Sequence, residues 1–252
     1  MVRAFDFVGC EDKGVQLKEL GDIILYMTQM SKGELKLALH AGETIWNDDT
    51  ATPTTTNLKY ALQKLEPARI AHGCNLNRDA ELLSALKRGV PKVPVEICMI
   101  SNLLLKYCPL RNHHVTLLES SQHPFVLGTD SPGIQGSSMT DEWVLYALVS
   151  NKEYWDEGLL SMTFWRLAER SIDNSFFPAE MKVSMRIRLK KDWEDFFSII
   201  AREMDIGTEL DQPLNAAVQE ARLGGGGGGG VGLAVYILFV GLMRRRRRGL
   251  VG

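Results

Sequence analysis

The 252-residue chain has few of the features that would take it outside ordinary globular proteins. It has four cysteines, at positions 10, 74, 98 and 108, with no CxxC pair and no regular spacing. Neither a zinc knuckle nor a disulfide framework is therefore indicated, and the four read as small core residues. Surplus positive charge is also missing. Residues 244–248 are all arginine, and without them 24 basic residues face 31 acidic ones, all of which precede position 224. A body of that sign offers no face for releasing counterions from a phosphate backbone, so nucleic acid is excluded as a partner. Met1-Val2-Arg3 runs straight into Phe5-Asp6-Phe7 without an apolar leader segment, so the chain reads as opening inside a strand, with a part expected upstream. The apolar run 231–243 is 13 residues, short of the ~18–20 that span a bilayer. What is present is 45% hydrophobic and 24% charged residues, enough for a substantial core.

Up to about residue 205, short β-rich runs alternate with longer helical ones, the pattern of a parallel sheet with helical crossovers. Strands are expected at 2–8, 35–40, 68–72, 93–99 and 125–129. Helices are expected near 15–30, 55–65, 79–87 and 113–120, followed by 141–150, 159–174 and 178–204. The organisation is a body at 1–205, a linker at 206–223 and a tail at 224–252. Seven glycines at 224–230, the apolar run and five arginines compose that tail. It reads either as a membrane contact through 231–248, with the arginines on the cytoplasmic side, or as a non-native extension.

Polar residues stand at the ends of these strands. In Leu35-Lys36-Leu37-Ala38-Leu39-His40, alternation puts the leucines on one face and His40 on the other, at the carboxyl end. Glu43 follows three residues later, and Gly42 permits a turn that brings both side chains toward one pocket. Ile70 and His72 share a face where the third strand stops at Gly73, and Val126, Gly128 and Asp130 share another before Ser131-Pro132-Gly133 opens a loop. Ionisable groups at the carboxyl ends of successive parallel strands are where α/β proteins place active sites. Two histidines, a glutamate and an aspartate so placed suit metal and acid–base chemistry. His113 and His114 at a helix start suggest solvated or capping roles, and His123 before the last strand a structural one.

Four ordered segments carry a family resemblance. His40-Ala41-Gly42-Glu43, Arg69-Ile70-Ala71-His72-Gly73, Val95-Glu96-Ile97-Cys98-Met99-Ile100-Ser101-Asn102 and Thr129-Asp130-Ser131-Pro132 resemble the signatures of adenosine deaminases. The opening Phe5-Asp6-Phe7-Val8-Gly9-Cys10-Glu11-Asp12-Lys13, with Leu110-Arg111-Asn112-His113, is most similar to the adenosine deaminase-related growth factor branch. The resemblance covers residues 2–205. It implies an α/β fold, strands four to eight of a (β/α)8 barrel, with C-terminal helices. It also implies one zinc ion per site, with His40 and Asp130 as ligands. Glu43 would protonate the purine ring nitrogen, and His72 would orient and deprotonate the attacking water. Gly9 would lie against the purine edge and Ser131 against its five-membered ring. The implied reaction takes adenosine or 2′-deoxyadenosine to inosine and ammonia. The branch suggests an extracellular location, and oligomeric state is not legible.

The chain departs from the family pattern in three ways. No two of its five histidines are separated by one residue, so the His-x-His that supplies two further zinc ligands has no counterpart, nor do the first three strands. Ser131 stands where the family has a second aspartate, and Ala71 where it has glycine. The chain is therefore expected to be N-terminally incomplete, to bind zinc poorly and to have little activity, with open sheet edges. The competing expectations are an inactive barrel serving as an interaction or membrane-tethered module, and an aminohydrolase of adenine or an adenine nucleotide.

Overall fold

A computed structural model describes residues 2–44, 56–88, 92–150 and 159–205. The expected linker and tail lie outside the described residues. The chain divides into two compact units, residues 1–150 with 173–177, and residues 151–172 with 178–252.

The first unit is a five-stranded sheet in which β1 (Ala4–Phe7), β2 (Lys36–Ala41), β3 (Arg69–His72), β4 (Val95–Ile97) and β5 (Phe125–Leu127) are neighbours in chain order. Every pairing is parallel, with Phe7 beside Leu39, Ala41 beside His72, Ala71 beside Glu96 and Ile97 beside Leu127. Parallel neighbours in sequence order, each joined by a crossover, form one wall of a β/α barrel. Four of the five strands are shorter than expected, while β2 keeps its six residues. The fourth stops at Ile97, and α4 (Met99–Leu104) begins where the sequence suggested continued strand.

The period-2 alternation in β2 is realised. Leu37, Leu39 and Ala41 are buried, while Ala38 and His40 are half-buried on the other face. The core continues through Ile70, Val95, Ile97 and Phe125, each at most 2% exposed. Helix α1 (Leu17–Met30) buries Leu17, Gly21 and Ile24, one stripe at helical spacing. Its start is fixed by Gln16, whose backbone N–H donates to Glu19 Oε1 at 3.1 Å. Helix α2 (Thr56–Tyr60) runs into a π-helical turn, Ala61–Leu65, and α3 (Ala80–Lys87) leads toward β4. Helix α5 (Val115–Ser120) precedes β5, and a short α6 (Pro132–Gln135) follows it. Helix α7 (Met139–Val149) is capped reciprocally, Ser138 N–H donating to Asp141 Oδ2 at 2.8 Å and Asp141 N–H to Ser138 Oγ at 3.3 Å. Its Tyr146 is fully buried, with the phenol O–H donating to Glu119 at 2.7 Å. Arg69 lies 4.7 Å above the Phe176 ring and donates to the Asn174 carbonyl at 3.4 Å, which ties residues 173–177 to the start of β3.

The second unit is helical, formed from α8 (Leu159–Asp173, its last residue in the first unit) and α9 (Ala179–Asp205). Trp165 and Trp193 meet edge to face with ring centres 5.3 Å apart. No described helix is long and apolar enough to cross a membrane. The cysteines are unpaired, and Cys74, Cys98 and Cys108 are buried as expected of core residues. Cys10 is exposed, because it falls in the turn after β1 rather than on a packed face.

Candidate active site

The carboxyl ends of β2, β3 and β5 deliver the ionisable residues into one cleft. His40 is the fifth residue of β2, and its Nδ1 pairs with the Asp6 carboxylate of β1 at 3.0 Å. Asp6 holds the imidazole above its ordinary pKa against the opposing pull of burial. The His40 and His72 rings lie side by side, their centres 5.0 Å apart.

Gly42 makes the turn beyond β2 with φ +79°, and a Cβ there would come within 2.3 Å of Asn75 Oδ1. The turn swings Glu43 back so that Oε1 is 3.7 Å from His72 Nε2. The turn is held from below by Glu11, which sequence reading did not single out. One Glu11 oxygen accepts from Glu43 N–H at 2.7 Å, and the other from Gly42 N–H at 3.1 Å and Asn57 Nδ2 at 3.0 Å. Asn57 in turn accepts from the Leu17 N–H at the start of α1. Glu11 is buried against backbone amides, an arrangement with no side-chain motif to betray it.

His72 and Asp130 each sit where a strand turns off into left-handed backbone, with φ of 64° and 55°. His72 is 1% exposed. Its Nδ1 meets the Asn102 side chain at 2.9 Å, and its carbonyl accepts from His114 Nε2 at 2.7 Å. Asp130 accepts from Ser101 Oγ at 2.6 Å, Gln135 Nε2 at 2.9 Å and Ser131 Oγ at 3.2 Å. Burial opposes its ionisation, but these donors outweigh it and hold the carboxyl below its usual range. Ser101 and Asn102 belong to the quoted Val95-to-Asn102 segment but were assigned no role from sequence, because the turn into α4 that aims them was not expected.

Glu43 and His72 are displaced in opposite directions. Burial, with Asp130 and Glu11 nearby and His40 opposing, pushes the Glu43 carboxyl up to about 7. Burial and the neighbouring His40 push the His72 imidazole down to about 4. At neutral pH the pair therefore holds a substantially protonated acid facing a neutral imidazole. Environments that separate two pKa values in this way divide the roles of proton donor and proton acceptor.

Glu43, His72 and Asp130 offer donor atoms within 4.8 Å of one another. His40, expected as a metal ligand, lies outside that triad. Its pairing with Asp6 is nevertheless the outer contact by which metal-binding imidazoles are oriented, leaving Nε2 as the free donor. Imidazole nitrogen and carboxylate oxygen are donors zinc accepts, so His40 and Asp130 suit it in kind, although a catalytic zinc ordinarily takes three protein ligands. At Gly9 an added Cβ would meet nothing within 4 Å, so the chain itself leaves room there. Ser131 is occupied with Asp130.

Of the two roles expected for His113 and His114, solvation is not found, while His113 does cap α5 by accepting the N–H of its first residue, Val115. Both are 1% exposed, their rings stacked 4.6 Å apart. They tolerate burial because Val115 N–H donates to His113 Nδ1 at 3.2 Å and His114 spans from Cys108 to the His72 carbonyl. His123 is structural as expected, its Nε2 on the Val93 carbonyl at 2.7 Å.

The sequence profile of the adenosine deaminase family matches residues 2–192. Adenosine deaminase 2 of Homo sapiens is 31% identical over 208 residues, covering 80% of this chain and 38% of the relative. Curated relatives are covered over only 26% to 44% of their own length. The crystal structure of adenine deaminase from Arthrobacter aurescens superposes with a TM-score of 0.58 at 19% identity, over 75% of this chain and 52% of that one. That of the Arabidopsis N6-mAMP deaminase superposes with a TM-score of 0.52 at 22% identity, over 75% and 57%. The parallel wall with its loop-borne acid and strand-end imidazole, and a match over most of the described residues, together make this chain a member of the adenosine deaminase family.

Proposed function

We propose that the site serves the zinc-dependent hydrolytic deamination of adenosine or 2′-deoxyadenosine to inosine and ammonia. The observation that carries this reading is the Glu43–His72 pair, 3.7 Å apart, one carboxyl pushed up to about 7 and one imidazole down to about 4. Replacing an aromatic amino group by water needs both at once. As the water oxygen bonds to the ring carbon, electron density moves onto the adjacent ring nitrogen, and Glu43 supplies the proton that takes up this charge. His72 accepts the proton leaving the water. The departing nitrogen takes that proton back from His72 as the carbon–nitrogen bond breaks and leaves as ammonia, while the new hydroxyl gives up its proton to become the carbonyl of inosine and restores Glu43 to its acid form.

For His72 to accept at Nε2, Nδ1 must carry the hydrogen. Asn102 Oδ1 is buried without a partner, and the two ends of an amide have the same shape. Turned over, that oxygen accepts from Nδ1–H and leaves the Nε2 lone pair facing the cleft. His40 and Asp130 would hold the zinc, which when bound supplies charge that makes water acidic near neutral pH. Gly9, where an added Cβ would meet nothing within 4 Å, and the Ser131 hydroxyl beside Asp130 would contact the purine. The extracellular placement rests on the growth-factor resemblance.

The test is conversion of adenosine, 2′-deoxyadenosine, adenine and AMP by the full chain with added zinc, beside Glu43→Gln. Inosine formation that Glu43→Gln abolishes supports the reading. Turnover of adenine or AMP alone would move the substrate to base or nucleotide. No turnover by protein that has bound zinc would favour an interaction module, while no turnover without bound zinc traces to the missing His-x-His.

A further inference from the structure

Two residues of the site, carried by different strands, are both held by one six-residue helix. Ser101 Oγ donates to Asp130 at 2.6 Å, and the Asn102 side chain meets His72 Nδ1 at 2.9 Å. Consecutive residues on α4 thus reach the ends of β5 and β3. Ser101 and Asn102 are themselves fully buried, so neither anchor is exchanged for water.

A helix this short has little stability of its own, and its leading amides need acceptors. Glu142, from α7, provides them. Its Oε2 accepts from Met99 N–H at 2.8 Å and its Oε1 from Ile100 N–H at 3.2 Å. The Glu142 side chain is 0% exposed, an expensive place for a carboxyl that does nothing else. Removing one oxygen would free an amide and let the first turn of α4 tilt, and Ser101 and Asn102 are the third and fourth residues of that same turn.

We propose that Glu142 is a positioning residue, which fixes α4 and, through Asn102 and Ser101, sets the orientation of the His72 ring and the Asp130 carboxylate. The functional part rests on the deaminase reading, while the structural part stands without it.

The test compares the full-length wild type with Glu142→Gln, Asn102→Ala and the double variant at one pH. Two readouts are taken, the nitrogen NMR shifts of the His72 ring and steady-state deamination. Glu142→Gln is expected to move the His72 ring nitrogens in the same direction as Asn102→Ala, with backbone amide shifts elsewhere conserved. The double variant should move them no further than Asn102→Ala alone. Where turnover is measurable, kcat should fall ~10-fold or more for Glu142→Gln with KM within about twofold, the size expected for loss of an outer-shell support. Unchanged ring shifts in Glu142→Gln, or additive shifts in the double variant, overturn the proposal. Should Glu142→Gln not fold, Glu142→Asp, which is too short to reach both amides, is read in its place by the same criteria. A zinc-loaded wild type that does not turn over adenosine refutes the deaminase reading, and the ring shifts still decide the positioning role.

Discussion

Replacing Glu11 by alanine tests whether the turn carrying Glu43 is held by a buried carboxylate. Three donors converge on this group, the amides of Gly42 and Glu43 at 3.1 and 2.7 Å and Asn57 Nδ2 at 3.0 Å. Alanine leaves all three without an acceptor at a site only 6% exposed. An unsatisfied buried donor costs about 1–3 kcal/mol. Against that stands relief from burying a carboxyl whose pKa is raised by burial, with Asp12 adding to the rise and the three donors opposing it. The net loss expected is about 4 kcal/mol, since the three contributions share one acceptor and do not add fully. With a urea dependence of about 2 kcal/mol per molar, the unfolding midpoint should drop by about 2 M. Glu11→Gln should lie between, because it keeps one acceptor and turns an N–H₂ toward a donor. Urea unfolding followed by tryptophan fluorescence and far-UV circular dichroism checks both variants. A Glu11→Ala protein within 1 kcal/mol of wild type would mean the turn does not depend on this carboxylate, and the positioning argument for Glu43 would fall with it.

Acid should destabilise the first unit earlier than carboxylate protonation requires. The buried His113 and His114 have pKa values near 4 and 3 against an ordinary 6.5, so the unfolded chain binds protons the folded chain refuses. Their contribution is complete above about pH 6.5 and is lost as pH falls, by about 2 kcal/mol per histidine between pH 7 and pH 5. His114→Gln should flatten that slope in urea titrations, and an unchanged slope would refute the assignment. Gly42→Ala should cost about 2–4 kcal/mol, from a left-handed backbone with φ +79° and a Cβ 2.3 Å from Asn75 Oδ1. Gly9→Ala, with nothing within 4 Å of its Cβ, should leave the melting temperature unchanged.

The strands were legible because alternation is local. Leu37 and Leu39 bury one face of β2 and deliver His40 on the other, and the same reasoning placed His72 and Asp130. Glu43 was legible only through Gly42, whose turn reverses the direction that strand geometry would give. The start of α4 was hidden because Ile97-Cys98-Met99-Ile100 is an apolar run that fits strand and buried helix equally, with a non-capping cysteine at the junction. Glu11 and Glu142 were hidden for a different reason. Their partners are backbone amides, which every residue possesses, so no side-chain pattern announces a buried carboxylate that serves them. His113 and His114 read as polar, but one receives a backbone N–H and the other donates to a carbonyl, and neutral rings so satisfied pack as core.

The left-handed backbone at His72 and Asp130 sets the interests of the fold against those of the chemistry. Histidine and aspartate enter this region more readily than most side chains, yet each still costs about 1 kcal/mol that glycine would not. A lineage released from selection for turnover would be free to drift toward glycine or asparagine at both positions, gaining stability as it lost its reactive groups. Replacing either residue by glycine should therefore raise the stability of the fold while it removes a reactive group, so that at these two positions stability and chemistry are read out with opposite signs.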